Sequence, residues 1–173
     1  MPNDILVLAM HGAPPSDFPP DELAEFFGLH ARLEQAGAER LPAPMRRRAE
    51  ELEQRVRNWP RTADNDGFWV ASHQLAGALA ELTGLPVLVG FNEFCAPDLD
   101  AVFGTAAVQG AERVIVVTPM LTAGGEHAER DIPGAIARAR SRHPGITFVY
   151  AWPYDMQAVA RFLAQHVQDR LRP

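Results

Sequence analysis

Four apolar runs punctuate the chain: DILVLAM at 4–10, PVLVGFNEF at 86–94, RVIVVTP at 113–119 and ITFVYAW at 146–152. None alternates strictly between apolar and polar. Continuous apolar runs of this length suit strands buried on both faces, as in a parallel sheet covered by helices. The stretches between the later runs carry helical spacing instead. A helix is predicted over 68–83 with Leu75, Leu79 and Leu82 inward, and another over 97–110 with Pro97 in its first turn. Further helices are predicted over 132–142, capped by Asp131, and over 155–171. Before them, residues 21–36 place Leu23, Phe26, Phe27, His30 and Leu33 on one stripe, with Ser16 or Asp21 as the cap. A charged helix over 44–58 carries Arg46, Arg47 and Arg48, and the segments GAPPSDFPP, GAERLPAP and PRTADNDG break the chain around these two helices. Strands separated by helices imply right-handed crossovers. The expectation is a three-layer α/β/α fold with a four-stranded parallel sheet, a flavodoxin-like half. It occupies one domain over 1–173, with 13–66 as a helical insertion after the first strand.

Composition narrows the function classes. At 173 residues, 47% hydrophobic and 22% charged, the chain suits one sizeable core. No apolar run approaches the ~18 residues of a membrane span, and the N-terminal run is too short for a signal peptide. The one cysteine, Cys95, excludes an internal disulfide and makes a cytoplasmic location the default. All basic residues are arginine, so a lysine Schiff base and a P-loop lysine are both excluded. A net charge of −6 argues against a nucleic-acid partner held by broad electrostatics.

In an open parallel sheet, ligands bind beyond the carboxyl ends of the strands. His11 and Gly12 follow the first run. Asn92 and Glu93 end the second, with Cys95 two residues further on the same side. Thr118 and Pro119 end the third, whose loop delivers His127, and Trp152, Tyr154 and Asp155 end the fourth. Two histidines and a glutamate thus converge on one rim from three strands. This is a ligand set for a borderline divalent ion such as Fe, Co, Ni or Zn, and one able to exchange protons near neutral pH. Gly12 lets the backbone approach a ligand closely, and Gly124 and Gly125 permit the turn that aims His127. An unpartnered Glu93 at the end of an apolar strand would be costly. His30 reads as a core or pocket-lining residue, His73 as solvated, and His143 and His166 as surface groups.

These residues carry a resemblance to the class II tetrapyrrole metal chelatases, specifically the sirohydrochlorin cobalt and iron chelatases of cobalamin and siroheme biosynthesis, in a single-domain form. Its motifs are ILVLAMHG, FNEFCAP and, most specifically, VIVVTPMLTAGGEHAERDIP. The resemblance spans 3–12 and about 68–170, and is weak over 13–66. It implies a chelatase-like fold in which His11 and His127 bind the metal and act on pyrrole protons while Glu93 assists. Co2+ or Fe2+, or else Ni2+ or Zn2+, would be a substrate, and no organic cofactor is implied. Substrate contacts are expected from Gly12, Asn92, Gly124, Gly125, Arg130, Phe26 and His30. Arg130 and the Arg46–Arg48 run are the candidates to face the substrate's carboxylates. The family builds its cleft from two α/β units, which implies a homodimer, with Phe18, Phe26 and Phe27 at the interface or pocket wall. The 13–66 segment resembles the helical lip of heme-forming ferrochelatases. Two other functions fit the same residues. One is a metal- or tetrapyrrole-binding protein without turnover. The other is a metal-dependent hydrolase, with Glu126 and Glu129 orienting the histidines.

Overall fold

The structure, a computed structural model, describes residues 3–37 and 40–172. Its centre is a sheet of four parallel strands: β1 (Asp4–Met10), β2 (Val87–Phe91), β3 (Arg113–Val117) and β4 (Thr147–Tyr150), in the order β2-β1-β3-β4. The register aligns Met10 with Phe91 and Leu8 with Val117, so β1, β2 and β3 end at one rim. The later strands are shorter than their apolar runs suggest. The polar tails of those runs lie beyond the strands at this rim, still tied to it by backbone bonds such as Asn92 N to Met10 O and Ala151 N to Val116 O.

The described residues form six α-helices: α1 (Pro20–Ala36), α2 (Ala43–Arg57), α3 (Gly67–Thr83), α4 (Leu99–Val108), α5 (Ile132–Arg142) and α6 (Met156–Leu171). On one face Ile5, Val7, Val114, Val116 and Phe148 pack with Val102 and Phe103 of α4 and Ile132 and Ile136 of α5. On the other, Leu6, Leu8, Met10 and Phe91 meet Trp69, Ala76 and Leu79 of α3. The expected α/β/α layering is therefore present, and α1 and α2 fall within the predicted 13–66 segment.

Several local expectations change. Of the predicted leucine stripe of α3, Leu79 packs inward, but Leu75 and Leu82 are 38% and 85% exposed, and Ser72 and Ala76 are buried instead. These small residues let the helix lie close to the sheet, and Leu75 and Leu82 are left on its flank. Neither Ser16 nor Asp21 caps α1, which starts at Pro19 and Pro20 with no side-chain cap. The fixed φ of proline pre-organises that first turn. Asp98, not Pro97, marks the start of α4, its carboxylate accepting from Ala101 N. Asp131 makes no capping bond to α5, because another partner takes it, as described below.

The α1–α2 pair closes its own small core of Phe26, Leu29, Ala49 and Leu52, against which Phe94 packs. Arg48 holds Glu25 in a two-bond fork at 3.0 and 2.7 Å, and Arg55 meets Glu22 at 2.5 Å. The α6 helix has no buried residue. Among the described residues, no helix is long and apolar enough to cross a membrane.

A candidate metal centre at the sheet rim

The parallel ladder between β1 and β2 runs on past both strands. Asn92 N donates to Met10 O at 2.9 Å, and Glu93 N donates to His11 O at 2.9 Å. Backbone pairing thus fixes His11 and Glu93 side by side. Gly12 makes this possible. Its φ is +103°, and a Cβ built there would lie 1.9 Å from the carbonyl oxygen of Glu93, so no side chain fits. Arg61, whose side chain is 6% exposed, holds the loops from below. It donates to Ala13 O at 2.6 Å, Val56 O at 2.8 Å and Asp66 Oδ2 at 2.5 Å, and also to Phe94 O. Arg57 donates to Asn92 O at 3.0 Å.

His127 arrives from the other side. After β3 the chain turns through Gly124, whose φ of +94° favours glycine, while Gly125 has no such requirement. Glu129 Oε1 accepts from Gly124 N at 2.7 Å and ties this loop to the turn that follows. Residues His127–Asp131 form a single π-helical turn, closed by Ile132 N donating to His127 O. Such turns gather at functional sites because they re-aim side chains within a helix. The hydroxyl of Tyr150 anchors this one by donating to Ala128 O at 2.9 Å. Burial, with the nearby Tyr154 adding to it, pushes the Tyr150 phenol up to about 12. Tyr154 is raised too, chiefly by burial, and donates to Thr118 O at 2.6 Å.

The result is one cluster of ligand atoms. Nε2 of His127 lies 3.1 Å from Nε2 of His11, and the carboxylate of Glu93 lies 3.7 Å from the first and 4.0 Å from the second. Among the described residues these three form a group whose ligand atoms all lie within 4.8 Å of one another. The two rings meet edge-on at 88°. Each Nδ1 already has an acceptor: Gly12 O at 2.9 Å for His11 and Asp131 Oδ2 at 2.6 Å for His127. Those bonds place the hydrogen on Nδ1 and leave both Nε2 lone pairs facing one point. Two lone pairs 3.1 Å apart repel each other unless a proton or a cation stands between them. Nitrogen ligands about 2.1 Å from one ion at cis or tetrahedral angles lie roughly 3.0–3.4 Å apart, so the spacing suits an ion. The two short Glu93 distances belong to different carboxylate oxygens, so Glu93 must turn toward the ion to join.

Around the trio, Phe26, His30, Glu53, Arg57, Asn92, Glu93, Phe94 and Asp131 line a cavity of about 210 Å3. Phe94 stacks on the His11 ring at 6.2 Å and touches Phe26 and Phe27, so the α1–α2 pair supplies an aromatic wall. His30 is pocket-lining and exposed, with its ring 5.7 Å from Phe26. Other expected residues lie elsewhere. Arg130 is 76% exposed and pairs with Glu126, away from the trio. Arg48 is engaged by Glu25 and Glu51. Glu126 and Glu129 hold Arg130 and Gly124, so neither orients a histidine. Asp155 caps α6, and Trp152 donates to Met120 O at 3.2 Å. Cys95 is buried, its thiol pushed up by desolvation, and lies outside the trio. His73 is exposed, with its ring against Trp69 and Phe91. Sequence reasoning missed Arg57, Arg61 and the pairing of Asp131 with His127. For Asp131 the four-residue spacing from His127 was the available signal, since it puts both on one helical face.

A parallel α/β sheet with two histidines and a glutamate at its carboxyl rim defines a class II chelatase-like protein. The CbiX family model matches residues 70–172, well over half of the chain, and the chain belongs to that family. A sirohydrochlorin cobaltochelatase of Priestia megaterium is 36% identical over 70 residues, which are 40% of this chain and 22% of that protein. The solved structure of SirB from Bacillus subtilis with Fe3+ superposes with a TM-score of 0.50 at 18% identity, over 99% of this chain and 48% of that one, and shares the fold. A cobalamin (vitamin B12) biosynthesis CbiX protein from Marinobacter aquaeolei VT8 gives a TM-score of 0.44 at 19% identity, over 96% of this chain and 98% of that one. The chain thus spans under a quarter of the curated relative and about half of the Bacillus subtilis chain.

Proposed function

We propose that this protein inserts a divalent metal, Co2+ or Fe2+, into a tetrapyrrole of the sirohydrochlorin class. The observation that carries this reading is the 3.1 Å approach of two Nε2 atoms, each with its Nδ1 hydrogen already bonded, beside a carboxylate. Neutral imidazoles hold a borderline ion without the tight grip of thiolates, so the ion can be passed on. During insertion the pyrrole nitrogens replace the ion's earlier ligands, and two pyrrole N–H protons leave. Nε2 of His11, Nε2 of His127 and the Glu93 carboxylate are the acceptors within reach, and Asp131 stabilises the imidazolium formed at His127. Ni2+ and Zn2+ suit the same ligands. No organic cofactor enters this chemistry.

The cavity beside the trio, about 210 Å3, holds only part of a tetrapyrrole. The open side supports a homodimer of single-domain chains in which a second copy completes the cleft. Arg57 lines the cavity with its donors on Glu53, Asn92 O and Cys95 O, so a substrate carboxylate would take the place of Glu53 to reach it.

The His127–Asp131 pair also suits a hydrolase, in which such a carboxylate orients a metal-bound histidine. His11 uses a main-chain carbonyl in that role, as metal-bound histidines also do, so the contact fits both readings; membership of the CbiX family favours the chelatase. Incubation with sirohydrochlorin and Co2+, Fe2+ or Ni2+ tests it. A metal-dependent change in the visible spectrum, faster than without protein, is expected. Metal binding with no acceleration would leave a binding protein, and ester or phosphoester cleavage would indicate the hydrolase.

A further inference from the structure

Among the described residues, Phe94 is the one non-glycine residue with a positive φ, at +55°. A bulky side chain rarely occupies that region. Across it, Cys95 N donates to Glu93 O at 2.6 Å. A bond spanning two residues around a positive φ marks the rare, strained form of γ-turn. Strain of this kind persists only where the surroundings over-determine it, and it gathers at functional sites. Here the strained residue directly follows Glu93 of the metal trio.

The surroundings hold the turn from several sides. Arg61, already anchored on Asp66, donates to Phe94 O. Glu93 N is tied to His11 O at 2.9 Å, and Glu93 O lies so close to Gly12 that no Cβ fits between them. The backbone of Glu93 is therefore fixed at both of its peptide groups. The Phe94 ring packs on the α1–α2 core, meeting Phe27 edge-on at 5.9 Å and Phe26 edge-on at 6.1 Å. It also backs the His11 ring, 6.2 Å away and tilted by 25°. Of the two α1 rings, Phe26 is buried and Phe27 is 46% exposed.

We infer that Phe94 is a positioning residue that couples the α1–α2 pair to the metal centre. Its turn sets the backbone of Glu93, its ring sets the plane of His11, and Phe26 and Phe27 hold that ring in place. A macrocycle pressing on the exposed Phe27 then alters the hold on the ion, a consequence that rests on the chelatase reading.

Titration of the full chain with Co2+ alone, followed in the visible spectrum and paired with thermal melts, tests the inference. Phe94→Ala removes the ring and keeps the strained φ. Phe94→Gly removes both, because glycine takes a positive φ without steric cost. The glycine variant should melt above the alanine variant. Both should still bind Co2+ about 10-fold more weakly, as when other groups supporting metal ligands are lost, with an altered Co2+ spectrum. A Phe94 that only fills the α1–α2 core would move the melts and leave Co2+ affinity and spectrum at wild-type values, and that result would overturn the inference. Phe27→Ala, at an exposed position, should fold like the wild type and weaken Co2+ binding about 3-fold. In the Phe94→Gly background the same change should have no effect on binding. Equal losses in the two backgrounds would refute coupling through Phe94. Metal insertion into sirohydrochlorin is scored separately. Normal insertion, with Co2+ affinity unmoved by any variant, would overturn the inference and leave the chelatase reading standing. Coupled Co2+ binding without insertion would do the reverse.

Discussion

Asp131 Oδ2 stands 2.6 Å from Nδ1 of His127, four residues earlier on the same π-turn, and this bond decides which ring nitrogen faces the rim. The side chain of Asp131 is 47% exposed and caps nothing. Its removal should therefore cost function more than stability. Asp131→Ala is expected to lower metal affinity or insertion rate by about 10–100-fold, as for other carboxylates behind a metal-binding histidine. The melting temperature should be nearly unchanged. Equal rates in mutant and wild type would show that His127 needs no such support.

His127→Ala and His11→Ala should each lower the insertion rate by about 10² or more, the usual loss for a proton-transfer group. The double variant should lose little beyond either single one, because the two Nε2 atoms act as a pair. His166→Ala, on exposed α6, should leave the rate alone. Stopped-flow spectra with sirohydrochlorin and Co2+ read all four proteins, and additive losses in the double variant would contradict a shared ion.

Gly12→Ala should damage the fold and the site together. The new Cβ would lie 1.9 Å from Glu93 O on a backbone with φ +103°, costing about 1–3 kcal/mol or more. Gly125→Ala has nothing within 4 Å and no positive φ, and should melt like the wild type. Urea unfolding of both proteins gives the comparison.

Arg61→Met leaves Asp66 as an uncompensated charge, its side chain 2% exposed. Such a loss costs about 3–5 kcal/mol. Because Arg61 also holds Ala13 and Phe94 from beneath, the folded fraction should bind metal more weakly as well. A denaturation midpoint unchanged from wild type would show that the pair carries no stability.

Tyr150 ties β4 to the π-turn, and its phenol is raised to about 12 by burial, with a smaller contribution from Tyr154. The folded state therefore holds this proton more tightly than the unfolded chain, whose tyrosines titrate near 10. The associated stability is complete below about pH 10 and is lost as pH rises from there toward 12. Tyr150→Phe should reduce stability by about 1 kcal/mol at neutral pH. It should also flatten the fall between about pH 10 and 12, as measured by thermal melts across that range.

The sequence by itself determined the sheet, its parallel sense and the convergence of His11, Glu93 and His127. Continuous apolar runs admit burial on both faces, and each candidate residue follows a strand directly or by one loop, so chain order dictates which rim it reaches. The sequence marks Gly12 as a place where a ligand can approach closely; what excludes a side chain there is the Glu93 carbonyl, which only tertiary structure brings up. Tertiary structure alone decided the rest. Whether Leu75 and Leu82 of α3 face inward depends on how closely the helix lies to the sheet, and Ser72 and Ala76 permit an approach that the leucines would block. Whether Asp131 caps α5 or holds His127 depends on a π-turn, whose extra residue per turn no periodicity announces. The arginines near the site are Arg57 and Arg61, from a segment remote in sequence, rather than Arg130 beside His127, because a long flexible cation goes wherever carbonyls and carboxylates converge on it. The open face of α6 has the same origin: amphipathic spacing shows that a helix needs a cover, while only the packing of the remaining elements shows whether its own chain provides one.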